Sequence, residues 1–99
     1  MSAIVVVRIK VDPAEFQRVE RERGDEFRKV SDDARAHGCL HHRFALGDGE
    51  VAVIDEWETG EAFLAFFDNP TVASFMEDAG VQGPPDVAIY EAVATVDQF

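Results

Sequence analysis

Residues 39–57 read Cys-Leu-His-His-Arg-Phe-Ala-Leu-Gly-Asp-Gly-Glu-Val-Ala-Val-Ile-Asp-Glu-Trp, two strand-like runs around Gly47-Asp48-Gly49-Glu50. Asp-Gly at the centre of a tight turn signals a two-residue hairpin, because a type I′ turn requires φ > 0 at both positions. Cys39–Leu46 and Val51–Glu58 then pair antiparallel, with Gly47 opposite Glu50. Counting outward, Phe44 faces Val53, His42 faces Asp55 and Leu40 faces Trp57 on one side of the sheet. The other side sets Ala45 against Ala52, Arg43 against Ile54 and His41 against Glu56. The first set carries the larger apolar side chains and is the better candidate to lie under helices.

Before the hairpin, Ala3–Val11 is β-branched and apolar and ends at Asp12-Pro13-Ala14-Glu15. That order is a helix start, with Asp as N-cap, Pro at the first helical position and Glu three residues after the cap. Phe16, Val19, Phe27, Val30 and Ala34 form one stripe of the helix, interrupted at Arg23-Gly24 by either a simple bend or the lip of a pocket. His37-Gly38 closes it, with Gly in the C′ role and the histidine suited to the negative end of the helix dipole. After the hairpin, Thr59 caps a second helix bearing Phe63, Phe66 and Phe67. Asn69-Pro70 breaks and restarts that helix, with Val72, Phe75 and Met76 turned inward. Gly80, Gly83, Pro84 and Pro85 make a loop, and Val87–Val96 reads as the last strand.

The order β-α-β-β-α-β is the split βαβ arrangement, an α+β fold with both helical segments on one side of a four-stranded antiparallel sheet. Residues 1–99 read as one domain, in line with the usual domain size. Such a chain buries roughly 65% of its unfolded surface. With 46% apolar residues and eight phenylalanines, it has an ordinary core to bury. Yet Ile4 and Val6, and Ala52 and Ile54, place apolar side chains on the face the helices do not cover. An uncovered apolar sheet face implies a partner, and a homodimer packed sheet on sheet is expected.

The 9 basic and 20 acidic residues give a net charge of −11, which disfavours nucleic acid and anionic membranes as partners. No signal peptide or membrane-spanning run is read, so a cytoplasmic protein is expected. A single cysteine, Cys39, can form no disulfide within the chain. It is expected to be an inert thiol on the interface side of the sheet. No metal site is expected: His41 and His42 point to opposite faces, and no His-carboxylate cluster has ligand spacing. The glycine-rich loop carries Pro-Pro instead of a phosphate nest, and no serine or threonine sits in a nucleophile elbow.

The remaining constellation is His42 beside Asp55. A carboxylate next to an imidazole fixes its tautomer and raises its basicity, as a general base requires. The plainer reading is a cross-strand ion pair with a structural role only. The second-helix phenylalanines, too, are either core or the wall of an apolar cleft.

Gly38-Cys39-Leu40-His41, Asp55-Glu56-Trp57-Glu58-Thr59, Phe63–Phe67, Asn69-Pro70 and Phe75 together resemble the antibiotic-biosynthesis monooxygenase family. That family consists of dimeric α+β barrels of ferredoxin-like subunits, and the resemblance spans nearly the whole chain in element order. It implies a cofactor-free monooxygenase acting on an aromatic, polyketide or quinol-like substrate, with no metal or flavin. Trp57 matches the tryptophan flanking the family's substrate pocket. The family's pocket asparagine, tyrosine and arginine fall at Val53, Phe63 and Met76. In the haem-degrading branch the iron-ligating histidine also falls near Met76, and a strand-one asparagine at Val7. The histidines of the signalling-molecule isomerase branch fall at Phe66 and Thr71. What remains is a candidate pocket of Trp57, Phe63, Phe66, Phe67 and Met76, with His42 and Asp55 as its titratable pair. The apolar replacements also suit a second reading, a non-catalytic ligand-binding or structural dimer of the same fold.

Overall fold

A computed structural model describes all 99 residues. The chain runs β1 (Ala3–Lys10), α1 (Pro13–Glu22), α2 (Gly24–Ala36), β2 (Cys39–Leu46), β3 (Glu50–Trp57), α3 (Gly60–Phe67), α4 (Pro70–Asp78) and β4 (Asp86–Glu91). The sheet order is β2-β3-β1-β4 with every pair antiparallel, the ferredoxin-like arrangement read from the sequence. No helix is long and apolar enough to cross a membrane.

Side-chain chemistry at the helix starts places them. Asp12 accepts a hydrogen bond from the Ala14 N–H at 3.0 Å, Thr59 Oγ1 from Ala62 at 3.0 Å and Asn69 Oδ1 from Thr71 at 2.9 Å. Each satisfies a backbone donor that a helix's first turn leaves free. Pro70 follows Asn69, so the second helical segment divides there. The first divides at Arg23, whose φ of −123° and ψ of 33° end α1 before Gly24 restarts the helix.

Ala3, Val5, Val7 and Ile9 alternate inward along β1, opposite Trp57, Asp55, Val53 and Val51 of β3. Phe16, Val19, Ala34, Phe63, Val72 and Ala79 bring the helices down on that surface. The other face carries Ile4, Val6, Ala52, Ala88, Ile54 (40% exposed) and Tyr90 (59% exposed), and no helix covers it.

Four local expectations are corrected. The hairpin pairs as read from Leu46–Val51 to His41–Glu56, but only Gly49 has a positive φ, 68°. Asp48 does not, so the signs are those of a type II turn and not type I′. Leu40 does not face Trp57: a β-bulge between Cys39 and His41 sets Cys39 opposite the indole and leaves Leu40 unpaired and exposed. An inserted residue shifts the two-residue period by one. Cys39 is therefore buried under the helices, not placed on the interface side. The last strand stops at Glu91, which pairs with Ala3, and only the Ala92 N–H reaches further, to Ser2 O at 2.9 Å. Beyond it no β1 residue remains to pair with, and Val93, Val96 and Phe99 are exposed.

Burial, and secondarily the Asp55 carboxylate, push the Cys39 thiol up to about 11 from 9.0. In the unfolded chain this thiol ionises first, so its contribution to stability is complete below about pH 9. It declines as pH rises towards 11. Thermal melts should show a loss of stability across that window that Cys39→Ala reduces. Folded protein should also resist iodoacetamide at pH 8 until denaturant is added.

Candidate functional site

His42 and Asp55 meet because both sit on the inward set of the hairpin, at directly opposed positions. His42 Nδ1 lies 2.7 Å from Asp55 Oδ1. Two residues along the same strand, and so on the same face, Trp57 donates its Nε1–H to Asp55 Oδ2 at 3.0 Å. Asp55 is 7% exposed and Trp57 1%. A buried carboxylate requires partners on both oxygens, and here an imidazole and an indole supply them. The His42 side chain, on edge strand β2, remains 31% exposed. In the neutral imidazole, an Nδ1–H donated to the Asp55 carboxylate puts the ring's lone pair on Nε2.

Beside this pair lies a cavity of about 110 Å³ between the sheet and the helices. Every residue expected at the site lines it: His42, Asp55, Trp57, Phe63, Phe66, Phe67 and Met76. Trp57 sits 5.6 Å from Phe63 and 5.3 Å from Phe66 between ring centroids, while Phe63 and Phe67 stack at 5.1 Å. Because its N–H is committed to Asp55, Trp57 offers a ligand only its ring.

The first helical segment and α4 supply further walls, Phe16, Phe27 and Phe75. Phe27 packs edge-on to Phe75 at 4.8 Å and to Phe16 at 5.7 Å. Phe44 joins them from β2, 4.9 Å from both Phe16 and the His42 ring. The Arg23 guanidinium rests over Phe75 at 5.5 Å, so the break between α1 and α2 borders the pocket wall. The only signal for these walls was the apolar stripe, which looks the same for a filled core and a lined cleft.

Ser31, His42 and Asp55 are the polar residues of the lining. No lysine or arginine reaches it, and no three His, Cys, Asp or Glu residues converge as a metal set. The arrangement can therefore bind a flat apolar molecule and present one basic nitrogen to it.

The family model described as antibiotic biosynthesis monooxygenase matches residues 2–78. No curated protein matches the chain significantly. Among solved structures, the chain is similar to SnoaB, a cofactor-independent oxygenase from Streptomyces nogalater, at 17% identity and a TM-score of 0.66, covering 98% of both chains. It is similar to a monooxygenase from Streptomyces coelicolor, solved in complex with nanaomycin D, at 21% identity and a TM-score of 0.68, covering 98% of this chain and 93% of that one. A protein from Mycobacterium tuberculosis matches at 14% identity and a TM-score of 0.64, covering 98% of this chain and all of its own. At these identities the structural likeness establishes the fold.

Trp57→Phe keeps an aromatic wall but strips Asp55 Oδ2 of its donor. It should lower unfolding stability by at least about 1–3 kcal/mol, measured by urea titration against wild type.

Proposed function

The chain belongs to the antibiotic biosynthesis monooxygenase family, and on that premise we propose that it is a cofactor-independent monooxygenase of a small aromatic, polyketide or quinol-like substrate. The observation that carries this reading is the 2.7 Å His42–Asp55 contact at an aromatic-lined cavity. A merely structural ion pair would not need a free nitrogen beside a void larger than a water molecule.

In this mechanism the substrate ring lies against the apolar walls, and His42 Nε2 removes an acidic C–H or phenolic proton. Asp55 holds the imidazole in the required tautomer and stabilises the imidazolium that forms. The resulting electron-rich carbanion reacts directly with dioxygen. For an anthrone-like CH₂ the balance is complete: the carbon becomes C=O, one oxygen atom enters the product and the other leaves as water with the two hydrogens. The phenylalanine walls keep bulk water from the anion.

Val53, Phe63 and Met76 line or border the cavity without a polar atom suited to proton transfer. Proton handling thus falls on His42, and the second reading, a non-catalytic ligand-binding dimer, is the one that loss of His42 would leave untouched. His42→Ala should lower turnover of a 1,8-dihydroxyanthrone or hydroquinone panel by about 10²- to 10⁴-fold, the usual share of a general base. Product formation and oxygen uptake unchanged in that variant would overturn the assignment of His42, whereas the absence of any turnover by the wild type would leave the non-catalytic reading standing.

The functional unit in this proposal is a homodimer formed through the open sheet face. Ile4, Val6, Ala52, Ile54, Ala88 and Tyr90 give that face an apolar centre, while Arg8, Glu50 and Asp86 pair along one end. An apolar centre with a charged rim is the anatomy of a protein interface. Native mass spectrometry should give about twice the 11.0 kDa chain mass. Ile54→Asp should shift the population to monomer with the helix-covered core intact, as read by circular dichroism.

A further inference from the structure

We propose that Ser31 is the second polar anchor of the cavity and that the site takes a neutral phenol carrying a carbonyl oxygen across the ring from its hydroxyl. The inference rests on the reading of His42 as the group that meets the acidic proton, and it adds the group that meets the other end of the ligand.

Of the three polar residues in the lining, Asp55 has both oxygens committed, to His42 and to Trp57. Two groups are left to address a ligand: His42 Nε2, which accepts, and the Ser31 hydroxyl, which can donate. Ser31 lies within α2, one position after Val30 and three before Ala34, which share the same cavity wall. A serine inside a helix commonly turns its hydroxyl back to a carbonyl of the preceding turn. The hydroxyls of Ser2, Thr59 and Thr95 are hydrogen-bonded in this chain, those of Ser31, Thr71 and Ser74 are not, and of these three only Ser31 lines the cavity. It is a donor left over at the edge of an apolar space.

Size and charge narrow the ligand. A cavity of about 150 Å³ holds benzene, so about 110 Å³ encloses no more than one ring, and whatever else a ligand carries, substituents or fused rings, extends through the opening beside His42. A carboxylate or phosphate would find no cationic residue in the lining and would lie near Asp55, an arrangement that disfavours a second negative charge. A phenolic O–H donating to Nε2 and a ketone oxygen accepting from Ser31 would satisfy both free groups with no charge added.

The test uses a matched pair of probes, 4-hydroxyacetophenone and 4-ethylphenol, which share ring and hydroxyl and differ in the carbonyl. Dissociation constants are measured by isothermal titration calorimetry on wild type, Ser31→Ala and His42→Ala. Alanine is a better helix former than serine, so Ser31→Ala should melt no lower than wild type. We expect Ser31→Ala to weaken 4-hydroxyacetophenone about five- to tenfold, the size of one net hydrogen bond. It should change 4-ethylphenol less than twofold, whereas His42→Ala weakens both. An equal effect of Ser31→Ala on the two probes, or no effect on either, overturns the role of Ser31. Undiminished binding of both probes to His42→Ala overturns the orientation and with it the underlying His42 reading. If neither probe binds wild type, the cavity is not a phenol site and the proposal fails at its base.

Discussion

The turn at Gly47–Glu50 sets the register of β2 on β3, and nearly every functional feature follows from that register. Gly47 N donates to Glu50 O at 2.9 Å, closing the hairpin over two residues. Side chains alternate strictly along a strand, so this closure decides which residues go under the helices. It puts His42 opposite Asp55, and it puts Arg43, Ile54 and Ala52 on the opposite, open face. A turn one residue longer would send His42 and Asp55 to different sides of the sheet.

Burial of Asp55 then constrains the site from within. A carboxylate among Val5, Val53 and the aromatic rings is costly unless both oxygens are hydrogen-bonded. Trp57 and His42 meet that requirement, so the group that orients the histidine is also the group whose satisfaction the core demands. The structural and the proposed catalytic uses of the pair are one arrangement. What separates them is the free Nε2 and the space beside it. The apolar residues at Val53, Phe63 and Met76, where the family resemblance places polar partners, leave that space with few groups able to direct a ligand. The free Ser31 hydroxyl thereby gains weight.

Charge shaped the molecule less than the composition suggested. Some of the acidic residues pair locally on exposed helix surfaces, as Glu15 and Glu22 do with Arg18 and Glu26 with Arg23, where each pair contributes little to stability. The apolar residues carry the argument: they fill the side of the sheet under the helices and also make up the open side, more than one layer of helices can cover.

The sequence by itself determined the element order, the caps at Asp12, Thr59 and Asn69, the breaks at Arg23 and Pro70, and the pairing of His42 with Asp55. These depend on interactions within a few residues or on a period counted from a short turn, and both are written in the chain. Only the tertiary structure decided that Leu40 leaves the ladder and Cys39 turns inward. A bulge is settled by what stands across the strand, here the Trp57 indole packed on Phe63 and Phe66. It likewise decided that the last strand ends at Glu91, since a strand extends only as far as its neighbour does. That the phenylalanine stripes line a cavity was also beyond the sequence. Whether facing apolar surfaces close completely depends on the separation of helix and sheet, which no single residue specifies.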